Sequence, residues 1–253
     1  MISIKNIKNK RKNNNSVARK LFAVTDKNAP FAYVEAYKSL RTNLKFITKT
    51  NGASSFVITS AISEESKSCT AINLAITLAQ DGQNVILVDC DLRKPMIHKY
   101  LKAQSGLKGL TNVLVGDEEL ENCITNFPDL NINVLLSGAT PPNPSELLSS
   151  DVMSDVISTL KKEYDYVILD APPVLAVTDA SILGNIVDGA LLIVRSKYVP
   201  SDAVVTAKRK LTEVGVKILG VVLTCFDDEK NNKRRGYSYS YKYRYKYEYY
   251  QKK

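Results

Sequence analysis

The sequence predicts an α/β fold, a doubly wound and mainly parallel sheet flanked by helices. Three observations predict it. Short runs rich in β-branched residues alternate with longer helical stretches. The runs are apolar throughout rather than alternating, as strands covered on both faces are. Lysine- and aspartate-bearing motifs fall at the ends of three runs, where open α/β sheets place their ligands.

Phe31, Val34, Tyr37, Leu40, Leu44 and Ile47 recur at three- and four-residue steps, an amphipathic helix. "SSFVITS" and "NVILVDCD" are strands, with the helical "SKSCTAINLAITLAQDG" between them, which Gly82 closes. "NINVLLSG", "YDYVILDAPP", "GALLIVRS" and "KILGVVLTCF" are four further strands. Helices are expected around Ser145–Tyr164, Asp179–Ile186 and Ser201–Glu213.

The formal charge of +9 is unevenly placed. Residues 1–21 hold seven Lys/Arg and no acid, and residues 229–253 hold nine against two, so the middle is mildly acidic. We read residues 1–30 as a flexible basic segment, 31–227 as the folded domain and 228–253 as a flexible tyrosine-rich tail. The tail carries eight of the fourteen tyrosines: Tyr237, Tyr239, Tyr241, Tyr243, Tyr245, Tyr247, Tyr249 and Tyr250. Its Tyr/Lys alternation is also compatible with stacking on nucleic acid. Cys69, Cys90, Cys123 and Cys225 form no C-x-x-C pair, and His98 is the single histidine, which argues against a zinc site or a disulfide framework. No apolar run approaches the ~18–20 residues that cross a bilayer, and the N-terminus is too polar for a signal peptide, so a cytoplasmic domain is expected.

Three motifs carry the chemistry. "TSAISEESKS" lies between a strand and a helix like a phosphate-binding loop, with Ala61 and Ser66 where G-x-x-x-x-G-K-[ST] has glycine. Lys67 would reach terminal phosphates, and Ser68 would ligate Mg²⁺. "VILVDCDLR" ends a strand with Asp89 and Asp91, paired carboxylates able to hold a hard cation or accept a proton. "YVILDAPP" ends another with Asp170, placed to support Mg²⁺. All three would meet at one end of a single sheet, as in a P-loop NTPase.

With these motifs the chain resembles the cytoplasmic domain of bacterial tyrosine kinases of capsule and exopolysaccharide export, P-loop ATPases related to the septum-positioning and partition proteins. "TSAISEESKS" stands where that family has T-S-x-x-P-G-E-G-K-S. "VILVDCDLRKP" matches its D-x-D-x-R motif, "VILDAPP" its second phosphate-site strand, and "PPNPSELLSS" a segment typical of these kinases. "EAYKSLRTN" resembles the E-x-x-R-x-x-R helix through which the family assembles into rings, and the tail resembles its autophosphorylated cluster.

The resemblance implies that Ser63, Glu64, Glu65, Ser66, Lys67, Ser68 and Cys69 cradle ATP, and that Ser68, Asp89 and Asp170 serve Mg²⁺. It implies further that Asp89 takes the tyrosine proton, that Asp91 assists at the metal, and that Glu35, Lys38 and Arg41 pair with a neighbouring subunit. The implied partners are further copies in a ring, a transmembrane adaptor that activates the kinase at the inner face of the membrane, and a cognate tyrosine phosphatase. No nucleic acid is expected. Two departures stand out. Pro-Gly-Glu-Gly is replaced by Ser63-Glu64-Glu65-Ser66, which at φ > 0 costs roughly 1–2 kcal/mol per residue. Lys38 replaces an arginine and loses its bidentate fork. Two other readings fit a degenerate loop or a missing tyrosine target: a pseudokinase that binds the export machinery, and a partition-type ATPase switch.

Overall fold

The computed structural model describes residues 23–51, 54–104 and 106–226, and the tail tyrosines lie outside the described residues. The helices and strands in chain order are α1 (Phe31–Asn51), β1 (Ser55–Ser60), α2 (Lys67–Ala79), β2 (Val85–Asp89), α3 (Ile97–Tyr100), α4 (Leu110–Leu114), α5 (Leu120–Cys123) and β3 (Ile124–Phe127). They continue as β4 (Ile132–Leu135), α6 (Pro144–Leu148), α7 (Asp151–Glu163), β5 (Tyr166–Asp170), α8 (Asp179–Ile186), β6 (Ala190–Arg195), α9 (Ser201–Glu213) and β7 (Ile218–Thr224).

The strands form one sheet in the order β3-β4-β2-β5-β1-β6-β7. All neighbours are parallel except β3, which runs antiparallel to β4 at the edge. β1, β2 and β5 are buried along their whole length, which explains why their sequences lack a polar face. One core lies under α1, α2 and α3, around Leu44, Ile72, Ile76 and Ile97. The other lies under α4, α5, α7, α8 and α9, around Leu110, Ile157, Leu183 and Leu211.

Six strands coincide with the predicted runs. The seventh, β3, escapes the pattern because "ITNF" is short, half-polar and nowhere fully buried. The predicted helix at 145–164 is two helices, α6 and α7, divided at Ser149 and Ser150. Ser150 caps α7 by accepting the N–H of Met153, and a serine so placed starts a helix more readily than it continues one. The fold also takes in residues read as part of the flexible N-terminal segment. Val24 is 6% exposed and its N–H donates to Asn73 Oδ1 at 2.8 Å, pinning the approach to α1 onto α2.

The order β2-β5-β1 sets the site. The first crossover runs from β1 through α2 to β2, and β5 later fills the gap between them. Asp89 and Asp170 are register partners at the ends of β2 and β5, and the loop after β1 closes over them. Three distant sequence motifs thereby share one sheet end.

Candidate active site

The loop from Ala61 to Ser66 joins β1 to α2. Glu64 has φ 72° and Ser66 has φ 70°, both left-handed, and these are the two positions where the resembled T-S-x-x-P-G-E-G-K-S loop has glycine; Ala61, where the general motif has one, is not left-handed. The chain therefore keeps the backbone path of a glycine loop without its glycines. Glu65 is what holds that path. Its side chain is fully buried, and the carboxylate accepts the N–H of Ile62 at 2.8 Å and of Arg195 at 2.9 Å. The Thr224 hydroxyl donates to the Glu65 carbonyl at 3.0 Å, and the Arg195 guanidinium donates to the Glu64 carbonyl at 3.0 Å. The loop is thus tied to the ends of β6 and β7, and such over-determination lets strained residues persist. Glu65 is among the residues implied to cradle ATP; its side chain braces the loop.

Ser66→Gly is accordingly expected to stabilise the fold. Relief of about 1–2 kcal/mol of left-handed strain exceeds the roughly 0.5–1 kcal/mol of extra unfolded-chain entropy. Urea unfolding should show a gain of about 0.5–1 kcal/mol, and an unchanged or lowered midpoint would contradict the strain argument.

Lys67, the first residue of α2, points back over the strand ends. Its Nζ lies 3.0 Å from Asp91 Oδ2 and 3.7 Å from Asp170 Oδ1. Asp89 and Asp170 are fully buried, and Asp91 is 6% exposed. Three carboxylates thus face one ammonium in a dry pocket. Burial, reinforced by the Asp170 charge and partly offset by Lys67, pushes the Asp89 carboxyl well above the usual carboxylate range. Burial likewise raises Asp170, against the pull of Lys67 and the nearby Ser68 hydroxyl. Burial works against the Lys67 ammonium, but Asp170 and Asp91 outweigh it and hold the proton more firmly.

The two buried aspartates differ in their hydrogen bonds. Asp89 accepts the N–H groups of Asp91 and Ile97, each at 3.3 Å, so it also shapes the loop that follows β2. Among the described residues no backbone N–H reaches Asp170; its neighbours are the Lys67 ammonium, 3.7 Å from Oδ1, and the Ser68 hydroxyl. A buried carboxylate free of backbone donors and set beside a serine hydroxyl suits a hard cation, so Ser68 and Asp170 fit the predicted Mg²⁺. Asp89 stands at the same strand end with its oxygens turned to backbone. Cys69 is partly exposed in the first turn of α2.

Arg93 acquires a place that the sequence did not disclose. Its Nε and one terminal nitrogen donate to the two oxygens of Asp179, at 2.9 and 3.2 Å, a bidentate pair at the start of α8. The same nitrogen reaches Ser145 Oγ at 2.6 Å, and Ser145 donates to Asp179 at 2.7 Å. This knot fastens the Asp89–Arg93 loop to the "PPNPSELL" segment. The only signals in sequence were the arginine of D-x-D-x-R and the serine of that segment. Nothing in local pattern links Glu65 to Arg195, 130 residues away.

The predicted assembly residues lie on α1 with their charges satisfied inside the chain. Lys38 pairs with Glu35 at 2.8 Å. Arg41 donates to the Thr77 carbonyl at 3.0 Å and lies 3.5 Å from Asp81, both at the end of α2.

Similarity to known proteins agrees with this geometry. An AAA domain family matches residues 65–219. The tyrosine-protein kinase YwqD of Bacillus subtilis is 41% identical over 75% of this chain and 79% of its own. The tyrosine-protein kinase wzc of Salmonella typhi is 34% identical, over 75% of this chain but 26% of its own length. The kinase domain of the Escherichia coli tyrosine kinase ETK superposes with a TM-score of 0.73 at 34% identity, covering 82% of this chain and 80% of that one. A loop that keeps the glycine path, a lysine held over three buried aspartates and relatives at this identity lead to one assignment: the chain belongs to the bacterial tyrosine-protein kinases.

Proposed function

We propose that this kinase binds Mg·ATP at the loop and transfers its γ-phosphoryl group to tyrosines 237–250 of neighbouring copies. The observation that carries the reading is Lys67 poised between Asp91 and Asp170, at the mouth of a loop whose backbone follows the phosphate-binding path. Lys67 would leave its carboxylates for the phosphates. Ser68 and Asp170 would hold Mg²⁺, which when bound neutralises charge on the phosphate oxygens. Asp89, with its proton affinity raised by burial, would take the hydroxyl proton of the incoming tyrosine, a task that calls for a carboxylate more basic than usual. Asp91 keeps Lys67 and the Lys94 N–H in place and stands nearer the mouth. Arg93 would position this loop rather than touch the nucleotide.

The same reading extends to the setting. The wzc relative carries much more chain than this one, and no described helix is long and apolar enough to cross a membrane. A transmembrane adaptor that activates the kinase at the inner membrane face is part of the proposal. Control of capsular or exopolysaccharide polymerisation and export, assembly into rings through Glu35, Lys38 and Arg41, and reversal by a tyrosine phosphatase belong to the same proposal. No observation favours the pseudokinase or the partition-type ATPase.

The reading is tested by incubating the full chain with Mg·ATP and following intact mass. Stepwise phosphate additions confined to peptides spanning 237–250 are expected. A chain with all eight tail tyrosines changed to phenylalanine should still phosphorylate the tail of a Lys67→Met chain mixed with it. ATP turnover without tail modification would overturn the proposal in favour of an ATPase switch.

A further inference from the structure

The sheet ends at β7, and among the described residues its outer edge carries no strand. An open edge is a ready template for another strand, and folded proteins usually cover or charge it. This one is apolar. Val221 and Leu223 are 59% and 49% exposed, and Phe46 of α1 is 68% exposed beside the same edge. Between α1 and β7 runs a groove of about 420 Å³, lined by Leu40, Phe46 and Ile47 on one side and by Gly220 and Val222 on the other.

We infer that the tail segment Tyr237–Tyr249 of the same chain covers this edge, as an antiparallel strand added to β7. Three features select that occupant. First, tyrosine stands at every second position from 237 to 249, so an extended strand presents all seven rings on one face and Ser, Lys, Arg and Glu on the other. Helical or coil recognition gives no reason for so strict a period. Second, β7 ends at Thr224 and the described chain stops at Phe226, so residues 227–236 form the connection. Those residues, "DDEKNNKRRG", include Asn231, Asn232 and Gly236, which suit a reversal, and they readily span the ~4.8 Å between paired strands. Third, the groove matches the tyrosine face. Gly220 offers bare backbone on which a ring can lie, as aromatic residues cover edge glycines elsewhere. Leu40, Phe46 and Ile47 meet the ring faces, while the open mouth leaves the hydroxyls in water. On the other face, the Lys and Arg stems would lie along Val221 and Leu223.

The docked strand and a phosphorylated tail exclude one another. Each phosphate adds about −1.5 to −2 charge, which an apolar groove without cations cannot desolvate. Docking therefore withholds unmodified tyrosines from a neighbour's active site, and modification keeps them released. The docking itself does not rest on the tail being a kinase target, and its test needs no activity.

The test is hydrogen exchange on the full-length, phosphate-free chain. It is compared with a full-length variant carrying Ser240→Pro, Arg244→Pro and Glu248→Pro, which keeps every tyrosine but cannot form a continuous ladder. Peptides spanning β7 are expected to exchange about tenfold or more faster in the proline variant. Phe46→Ser, a change at an exposed position, should shift them in the same direction. Protection of the unaltered chain should be independent of protein concentration over about a hundredfold range. Equal exchange in the unaltered and proline chains would overturn the inference. Protection lost on dilution would also overturn it, and would assign the edge to a second copy's tail.

Discussion

Lys67→Met is expected to abolish tyrosine phosphorylation and to weaken Mg·ATP binding by about a hundredfold or more, the usual cost of losing a preorganised charge at a reacting group. The structure adds a second consequence. Among the described residues Lys67 is the cation that pairs with both Asp91 and Asp170, with its side chain 13% exposed. Its removal leaves three carboxylates facing one another in a dry pocket. Breaking a buried pair in this way costs about 3 kcal/mol. The variant should therefore unfold at lower urea, with the deficit largest at alkaline pH, where the raised Asp89 and Asp170 carboxyls ionise. Lys67→Arg separates the two effects, keeping a cation near the aspartates without an ammonium's fit to the phosphates. Calorimetric ATP titration and urea unfolding of the two variants would check both. A Met variant as stable as the unaltered protein would mean that the cluster is not charged as described.

Asp170→Asn is expected to act in opposite directions on stability and on activity. Burial holds the Asp170 carboxyl above its ordinary value. Such a group favours the folded state at low pH and loses that contribution as pH rises from about 4 through its folded-state pKa. At pH 8 the ionised side chain is a net cost. No backbone N–H binds its oxygens, so what the amide gives up is the attraction to Lys67 at 3.7 Å and the Ser68 contact. Asp91 still pairs with Lys67 at 3.0 Å. We expect a gain in unfolding free energy at pH 8, little change near pH 4, and at least a hundredfold loss of phosphorylation. Unfolding curves at the two pH values, with and without Mg·ATP, provide the check. Mg·ATP should stabilise the unaltered protein and leave the variant nearly unmoved. Equal stabilisation of both would remove Asp170 from the metal site.

These expectations rest on a placement that was largely legible before any coordinates. The strands that carry the motifs are central, and central parallel strands advertise themselves as unbroken apolar runs, as "FVIT", "VILV" and "YVIL" do. The convergence of Lys67, Asp89, Asp91 and Asp170 follows from strand ends in a doubly wound sheet. What lay hidden was tertiary or peripheral. β3 and the short helices α3 to α5 owe their form to packing against larger elements, because four or five residues carry no period of their own. The brace through Glu65 joins residues 130 apart, and the Arg93–Asp179 pair joins residues 86 apart. Loss of the two loop glycines suggested a damaged site. The structure instead keeps their left-handed backbone at Glu64 and Ser66, because contacts from β6 and β7 hold it.

The central claim, that a glycine-free loop still works as a phosphate cradle, is tested most directly by titrating the purified full-length chain with Mg·ATP. Saturable one-to-one binding that disappears in Lys67→Met, followed by phosphate accumulation on residues 237–250, is the expected result. A well-folded chain that binds no Mg·ATP at millimolar concentration would contradict the account, and the tail would then be a substrate for some other kinase.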